Sequence, residues 1–484
     1  MRKETIMTNS REAGIALLIT MFTLVIISII GLVMALNAIT EVKISDNYES
    51  HFQAEYAAMA GLNHARLLLD GLDFDVVLKG PDGMYDTSTA YIKEAKTFRF
   101  RLPIPVSMAQ TMNIESPLSD IGDISDDGII STGVLNGIPG TELIPKSGIG
   151  LFAGDPYRPE QLILSRYFVK VTDNNGEASE LAADAANNPF IDGDGIVIVR
   201  SVGVSRTLSE QMGTNIRRNS VAVFEARFRR AATWDTGTAL TVLGSSINAA
   251  FADSPEITGG AFAGIGVLDT NPDDSEFPDI LIKQAAEGIG GITGGGLTEP
   301  SVRDISAEAR GHRDRAALFN AEYLWNFIQH KAPAFADQTY DGDQVWGTPP
   351  FLGTYDMSKP WNDPTQKPRI TLVKGNLTAL GGISGAGILI ITGSLECSGN
   401  IDFRGLILTL GSGRLILHGS GPGIKGGVLA GSLVNSGGVI TFGVPLINIG
   451  GDTRITADKA SVRMALRLLP VEQISFREIA GSDP

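Results

Sequence analysis

One cysteine, Cys397, in 484 residues excludes a disulfide-stapled fold and any cysteine-rich metal site. It sits between apolar runs and reads as a small buried residue. The five histidines form no HExxH pair, and none stands beside the cysteine. No serine lies in a Gly-x-Ser-x-Gly turn between a strand and a helix. Positive charge is in deficit: the formal net charge of −15 repels phosphate backbones, so nucleic acid is not an expected partner. Aromatics are sparse at 7%. The 57 glycines follow no collagen triplet. Their densest cluster, Gly288 to Gly296, lacks a following Lys-Ser/Thr and does not make a phosphate loop. These absences point to a structural protein and not an enzyme, rich in tight turns and short strands.

What is present begins at the N-terminus. Residues Ala13 to Thr40 carry no charge. At about 1.5 Å per residue, that run exceeds the hydrocarbon thickness of about 30 Å. Arg2, Lys3 and Arg11 precede it and Glu41 follows. The positive-inside rule puts the N-terminus in the cytoplasm and the rest outside the inner membrane. A cleaved secretory signal would have a shorter apolar core and a small-x-small site, and Leu36-Asn37-Ala38 lacks the first small residue. A plain uncleaved anchor remains open. The periodicity continues past the membrane edge: Ile44, Tyr48, Phe52, Tyr56, Met59, Leu62, Ala65 and Leu69 recur at spacings of three and four. No proline interrupts Ile15 to Asp70, and Gly71 is the first stop signal. The pattern predicts one continuous helix. Its first half is apolar all round, and its second half buries one stripe against a globular domain.

This segment resembles the N-terminus of type IV pilins, and more narrowly of PilX-like minor pilins. Such proteins carry a short basic leader ending in glycine, cut on the cytoplasmic side by a prepilin peptidase. Gly14 matches the leader glycine, so the resemblance implies residues 1–14 as leader and Ile15 as the mature N-terminus. Ala54-Glu55-Tyr56-Ala57-Ala58-Met59-Ala60-Gly61-Leu62 matches the small-residue patch of the PilX-like group. The resemblance implies that residues 15–71 form the assembly helix, with Ile19, Phe22, Tyr48, Phe52 and Tyr56 among its packing positions. Its implied partners are other pilins, the prepilin peptidase, the inner-membrane assembly platform and the membrane itself. In one respect the chain departs from the major pilins: Ile19 stands where they carry a glutamate five residues into the mature chain. An intramembrane carboxylate is tolerated only with a partner. Its absence suits a minor subunit at or near a tip, and equally a tip pseudopilin of type II secretion.

Beyond the helix, residues 72–230 read as a β-rich pilin-like domain. Its strands are expected at 161–164, 166–171, 195–202 and 220–228, packed as an antiparallel sheet on the distal half of the helix. Two polar turns lie between them. Asp173 and Asn175 in one, and Asp192 and Asp194 in the other, offer oxygens to a hard cation such as calcium. The same Asp-Gly and Asn-Gly signals equally describe plain strand-connecting turns. Residues 231–368 are mixed, with one expected helix over 316–331 that buries Leu318, Ala321, Trp325 and Ile328. After Arg369, apolar runs at 370–373, 388–391 and 406–410 recur near a period of 18 residues, each followed by glycine. That period predicts stacked coils over 369–484, a β-solenoid-like domain with a helical cap at 456–469, and a β-sandwich is the competing arrangement. The expected class is α+β, mainly β: a long N-terminal pilin-like helix, a β-sheet domain and a glycine-rich C-terminal domain. The functional expectation is a minor pilin acting in assembly, priming or tip display. A type II secretion pseudopilin and an uncleaved membrane-tethered surface protein are the alternatives.

Overall fold

The computed structural model describes residues 4–70 (side chains from 14 onward), 72, 74–78, 102–117, 144–145, 147–152, 163–174, 195–206, 219–230, 234–272, 277–311, 315–359, 363 and 365–479, the side chains of 75 and 76 excepted. The architecture is α+β and mainly β, as expected. Helix α1, Glu4–Leu69, runs unbroken for 66 residues, roughly 100 Å at the standard rise. It ends one residue before the expected Asp70. Its last carbonyls would otherwise lack partners. Arg230, far along the chain, donates to the Leu69 and Leu72 carbonyls, both at 2.7 Å. The same guanidinium lies 4.3 Å over the Phe74 ring in the short helix α2, Phe74–Leu78.

The distal half of α1 packs on a five-stranded antiparallel sheet. Its order is β1 (Ile149–Phe152), β2 (Ile163–Asp173), β3 (Ile196–Ser205), β4 (Ser220–Arg229) and the C-terminal strand Glu472–Glu478. Strands β2, β3 and β4 lie where the apolar runs predicted them. The final strand leaves the C-terminal region to complete this sheet, which local sequence pattern could not indicate.

The helix face that packs keeps the end of the expected stripe, Leu62, Ala65 and Leu69, and corrects the part before it. Ser50, Ala54, Ala57, Ala58, Gly61, Leu62, Ala65 and Leu69 are buried, whereas Ile44, Tyr48, Phe52, Tyr56 and Met59 remain exposed. The reason is distance. Small residues on α1 meet small residues on the sheet: Ser201, Gly203, Ala222 and Ala226. A methyl at Gly61 would collide with Ser201 Oγ, and one at Gly203 with the Ala54 carbonyl oxygen and the Ala58 nitrogen. Large side chains cannot enter a contact this close. Ser50 and Ser220 hydroxyls bond at 2.7 Å at one end of the interface, and Val471 N–H donates to Asp70 at 2.8 Å at the other.

The opposite face of the sheet is covered at one end by residues 102–114, including helix α3 (Val106–Thr111). Leu102, Ile104 and Ile114 there bury Phe168, Val202 and Val223. Arg166 ties that cover down, donating from Nε to the Ile114 carbonyl at 2.8 Å, and burial lowers its pKa. At the other end, one cross-strand row reads Lys170, Arg200, Glu225 and Arg477. Glu225 is buried between two guanidiniums: Arg200 Nε at 2.8 Å and Arg477 Nε at 2.9 Å. Desolvation lowers the Arg200 pKa, and the charge and hydrogen bond of Glu225 oppose it.

Most of the remaining strands form two parallel stacks, and Gly353–Thr354 and Val439–Phe442 pair antiparallel at the edges of the larger one. In the larger, Lys367–Lys374, Gly382–Ile391, Asn400–Gly411 and Ser420–Ser436 lie side by side. Ile370 pairs with Ile388 and Ile388 with Leu406, so the 18-residue period is the register. It lengthens at the next step, where Leu406 pairs with Gly427. In the smaller stack, Gln344–Trp346, Leu377–Ala379, Leu395–Cys397, Arg414–Leu417, Leu446–Ile449 and Asn248–Phe251 follow one another, all parallel. Strands from 231–368 and from 369–484 therefore share both sheets: Leu240–Leu243 pairs with Ser420–Ser436, and Gln338–Asp341 with Lys367–Lys374.

Long strands here are apolar on both faces because both faces are covered. Leu389, Ile391, Phe403 and Ile407 point between the stacks, with Leu377, Leu395 and Leu415. Ile388, Ile390, Leu406 and Leu408 point outward under the helices at 315–335 and Lys459–Leu466. The expected helix over 316–331 is three successive pieces: a 3-10 turn Arg315–Phe319, an α-helix Ala321–Asn326 and a π-turn Phe327–Lys331. That change of pitch buries Leu324 and Phe327 with Leu318, Ala321 and Ile328, and leaves Trp325 only half-buried. Gly387, Gly405 and Gly426 form a column with φ of +128°, +127° and +142°. A side chain at Gly405 would meet the Gly387 carbonyl of the rung beside it.

Candidate assembly surface

The candidate functional surface is α1 itself. From Ile15 to Ile39 its large apolar side chains are bare, with Leu17 at 72% and Phe22 at 66% exposure. This is the one helix among the described residues that is long and apolar enough to cross a membrane. Its hydroxyl side chains fold back on the helix. Thr23, Ser28 and Thr40 donate to the carbonyls four residues earlier at 2.8 Å, and Thr20 does the same to Ala16. A hydroxyl satisfied within its own helix needs nothing from its surroundings, which is what a hydrocarbon environment demands.

Gly14 and Ile15 lie within α1, with open space around the glycine. Ile19 and Phe22 are exposed on the same apolar half. Tyr48, Phe52 and Tyr56 are exposed too, on the part of α1 whose other side grips the sheet. The helix thus carries two distinct surfaces over 44–69: a small-residue face inside the molecule, and an aromatic and aliphatic face outside it. Sequence periodicity alone merged them, because residues at spacings of three and four can be drawn through either face. The alanine-glycine patch was the signal for the inner one.

Of the four candidate calcium ligands, Asp173 is buried at the end of β2, opposite Val197. Asn175, Asp192 and Asp194 lie outside the described residues. Cys397 is buried between the two stacks, where desolvation pushes its thiol up to about 11. An open groove of about 320 Å³ lies along the larger stack, lined by Tyr355, Asp356, Gln366, Ser384, Asp402 and Arg404. One rim is a loop closed by the Gln366 side chain, whose oxygen accepts from Asp356 N–H at 2.7 Å. The groove holds no histidine or cysteine, and its carboxylates are at the surface. It offers polar contacts for a ligand.

No family model matches this chain, and no curated protein does. Among solved structures, the crystal structure of the competence-associated pilin ComZ from Thermus thermophilus matches at 11% sequence identity, over 89% of this chain and 98% of that chain, with a TM-score of 0.22. A superposition that loose does not establish a common fold, so the functional reading rests on the geometry of α1.

Proposed function

We propose that this chain is a pilin-like structural subunit, and specifically a minor pilin of a type IV pilus machine, without catalytic activity. The observation that supports the reading is the division of α1. Its N-terminal half is apolar on every side and wholly exposed, and its C-terminal half clamps a β-sheet through small residues while leaving Tyr48, Phe52 and Tyr56 outside. Such a helix is stored in a membrane and then moves into a bundle of neighbouring helices, exchanging lipid contacts for protein contacts of similar polarity. Ile19 leaves the span without a charge, so insertion requires no ion partner. The N-terminus stays cytoplasmic, where a prepilin peptidase cuts after Gly14. The assembly platform of the inner membrane then hands the subunit to other pilins. The sheet unit and the parallel stacks, read together as a pilin-like domain and a β-solenoid-like domain, are displayed at or near the filament tip.

The test is the N-terminal residue and intact mass of the protein recovered from native membranes. A chain that begins at Ile15 with a methylated amine supports the reading. An intact leader, or cleavage near Ala38, refutes it and leaves a tethered or secreted surface protein.

A further inference from the structure

The aromatic face of α1 is next to a second feature that the pilin-like reading does not use. His51 and Glu55 are one helical step of four residues apart, with Nε2 and Oε1 separated by 3.1 Å. The last residue of the C-terminal strand, Glu478, comes alongside them. One ligand atom from each of the three side chains lies within 4.8 Å of the other two. The three come from elements more than 400 positions apart in the chain, which the sheet alone brings together. Glu478 is held in place by its strand: it stands opposite Phe224 on β4, and the next residue, Ile479, donates its N–H to Val223 at 2.8 Å.

We propose that His51, Glu55 and Glu478 bind one divalent transition-metal ion, of the zinc class, which ties the C-terminal strand to the long helix. The donor set decides the class. One imidazole nitrogen and two carboxylates suit Zn²⁺, whose bonds to such donors are about 2.0–2.2 Å, with water at the open position. Ligand atoms around a tetrahedral ion of that size are about 3.4 Å apart. The His51–Glu55 separation is already close to this, and Glu478 reaches it by rotation of an exposed side chain. Calcium is disfavoured, since it gathers six to eight oxygens at longer distances. Charge points the same way: Glu55 and Glu478 bring two carboxylates together beside His51, and a divalent cation between them cancels their mutual repulsion. His51 and Glu478 are exposed, so the ion has a path in from solvent.

The consequence is mechanical. The C-terminal strand also carries Arg477 to the buried Glu225, and Phe476 to Phe224 at a centroid distance of 5.0 Å. It follows the helix Lys459–Leu466, which packs on the larger stack. A metal at its end locks the stacks to the helix through a second point. This inference does not depend on the pilin-like reading.

The experiment uses the full chain without an affinity tag, in detergent. Co²⁺ is titrated and followed by its visible absorption, and Zn²⁺ by calorimetry. Hydrogen exchange of residues 472–479 is measured with and without Zn²⁺. One saturable equivalent is expected, with tetrahedral Co²⁺ bands and slower exchange in the strand. His51→Ala and the isosteric Glu478→Gln each weaken that equivalent at least tenfold, whereas His330→Ala leaves it unchanged. Unaltered exchange at Ala54 to Ala65 verifies that the variants keep the helix on the sheet. A wild-type chain with no saturable equivalent, or one retained in both His51→Ala and Glu478→Gln, overturns the proposal and leaves His51–Glu55 as an ordinary helical side-chain pair.

Discussion

The tight seat of α1 on its sheet makes Gly203 the most informative single position. Gly203→Ala adds one methyl, which would overlap the Ala54 carbonyl oxygen and crowd the Ala58 nitrogen. Both obstacles are backbone atoms of a long helix, so no rotamer change relieves them. The helix must retreat by about 1 Å to restore van der Waals distances, and a gap of that size forfeits about a quarter to a half of each dispersion contact along the face. Overpacking of this kind costs about 1–3 kcal/mol, and the rigid backbone on both sides puts Gly203→Ala near the upper end. At about 1.4 kcal/mol per factor of ten, amides over 54–65 should exchange about 100-fold faster in the full chain. Tyr56→Ala removes a much larger group from the exposed face and should leave the same amides unchanged. Exchange in Gly203→Ala within about threefold of wild type would mean that the helix is not pressed against the sheet, and the close-contact argument would fall.

Glu225→Ala strips the buried partner from Arg200 and from Arg477 and should destabilise the sheet unit by about 3–5 kcal/mol, measured by urea unfolding with a probe in that unit. Gly405→Ala forces a side chain into φ +127° against the Gly387 carbonyl. It should lower the thermal midpoint of the stacked unit, with a cost of at least about 1–3 kcal/mol from backbone strain. Cys397 should resist iodoacetamide in the folded chain up to about pH 9 and react at once after denaturation. Its pKa of about 11 keeps the folded thiol protonated, and burial blocks access. Ready alkylation of the native chain would contradict its place between the stacks.

Much of this architecture was legible before any coordinates. The uninterrupted run to Asp70 announced α1, since nothing in it breaks a helix. The 18-residue recurrence after Arg369 is the register in which Ile370, Ile388 and Leu406 pair, because equal spacing between parallel strands brings equivalent residues side by side. Other features were hidden for definite reasons. The repeat gave no sign that 240–243 and 338–341 join the same sheet, since those strands lack the period. The pitch change at Phe327–Lys331 follows from packing against the stack, which local propensity does not encode. Arg230 as the cap of α1, and Glu478 beside His51, are contacts between residues far apart in the chain, and no spacing rule reaches them.

By itself the sequence determined what hydrophobicity and chain continuity control: a long apolar helix with an uncharged first half, a β-rich body behind it, and the 18-residue spacing of the first strands after Arg369. Tertiary structure alone decided which face of the helix turns inward. Hydrophobicity favoured the aromatic stripe, but the glycine and serine of β3 allow so close an approach that Ala54, Ala58 and Gly61 fit there and the aromatic residues do not. The aromatic residues were left outside by geometry, and Tyr48, Phe52 and Tyr56 form an exposed face on the helix.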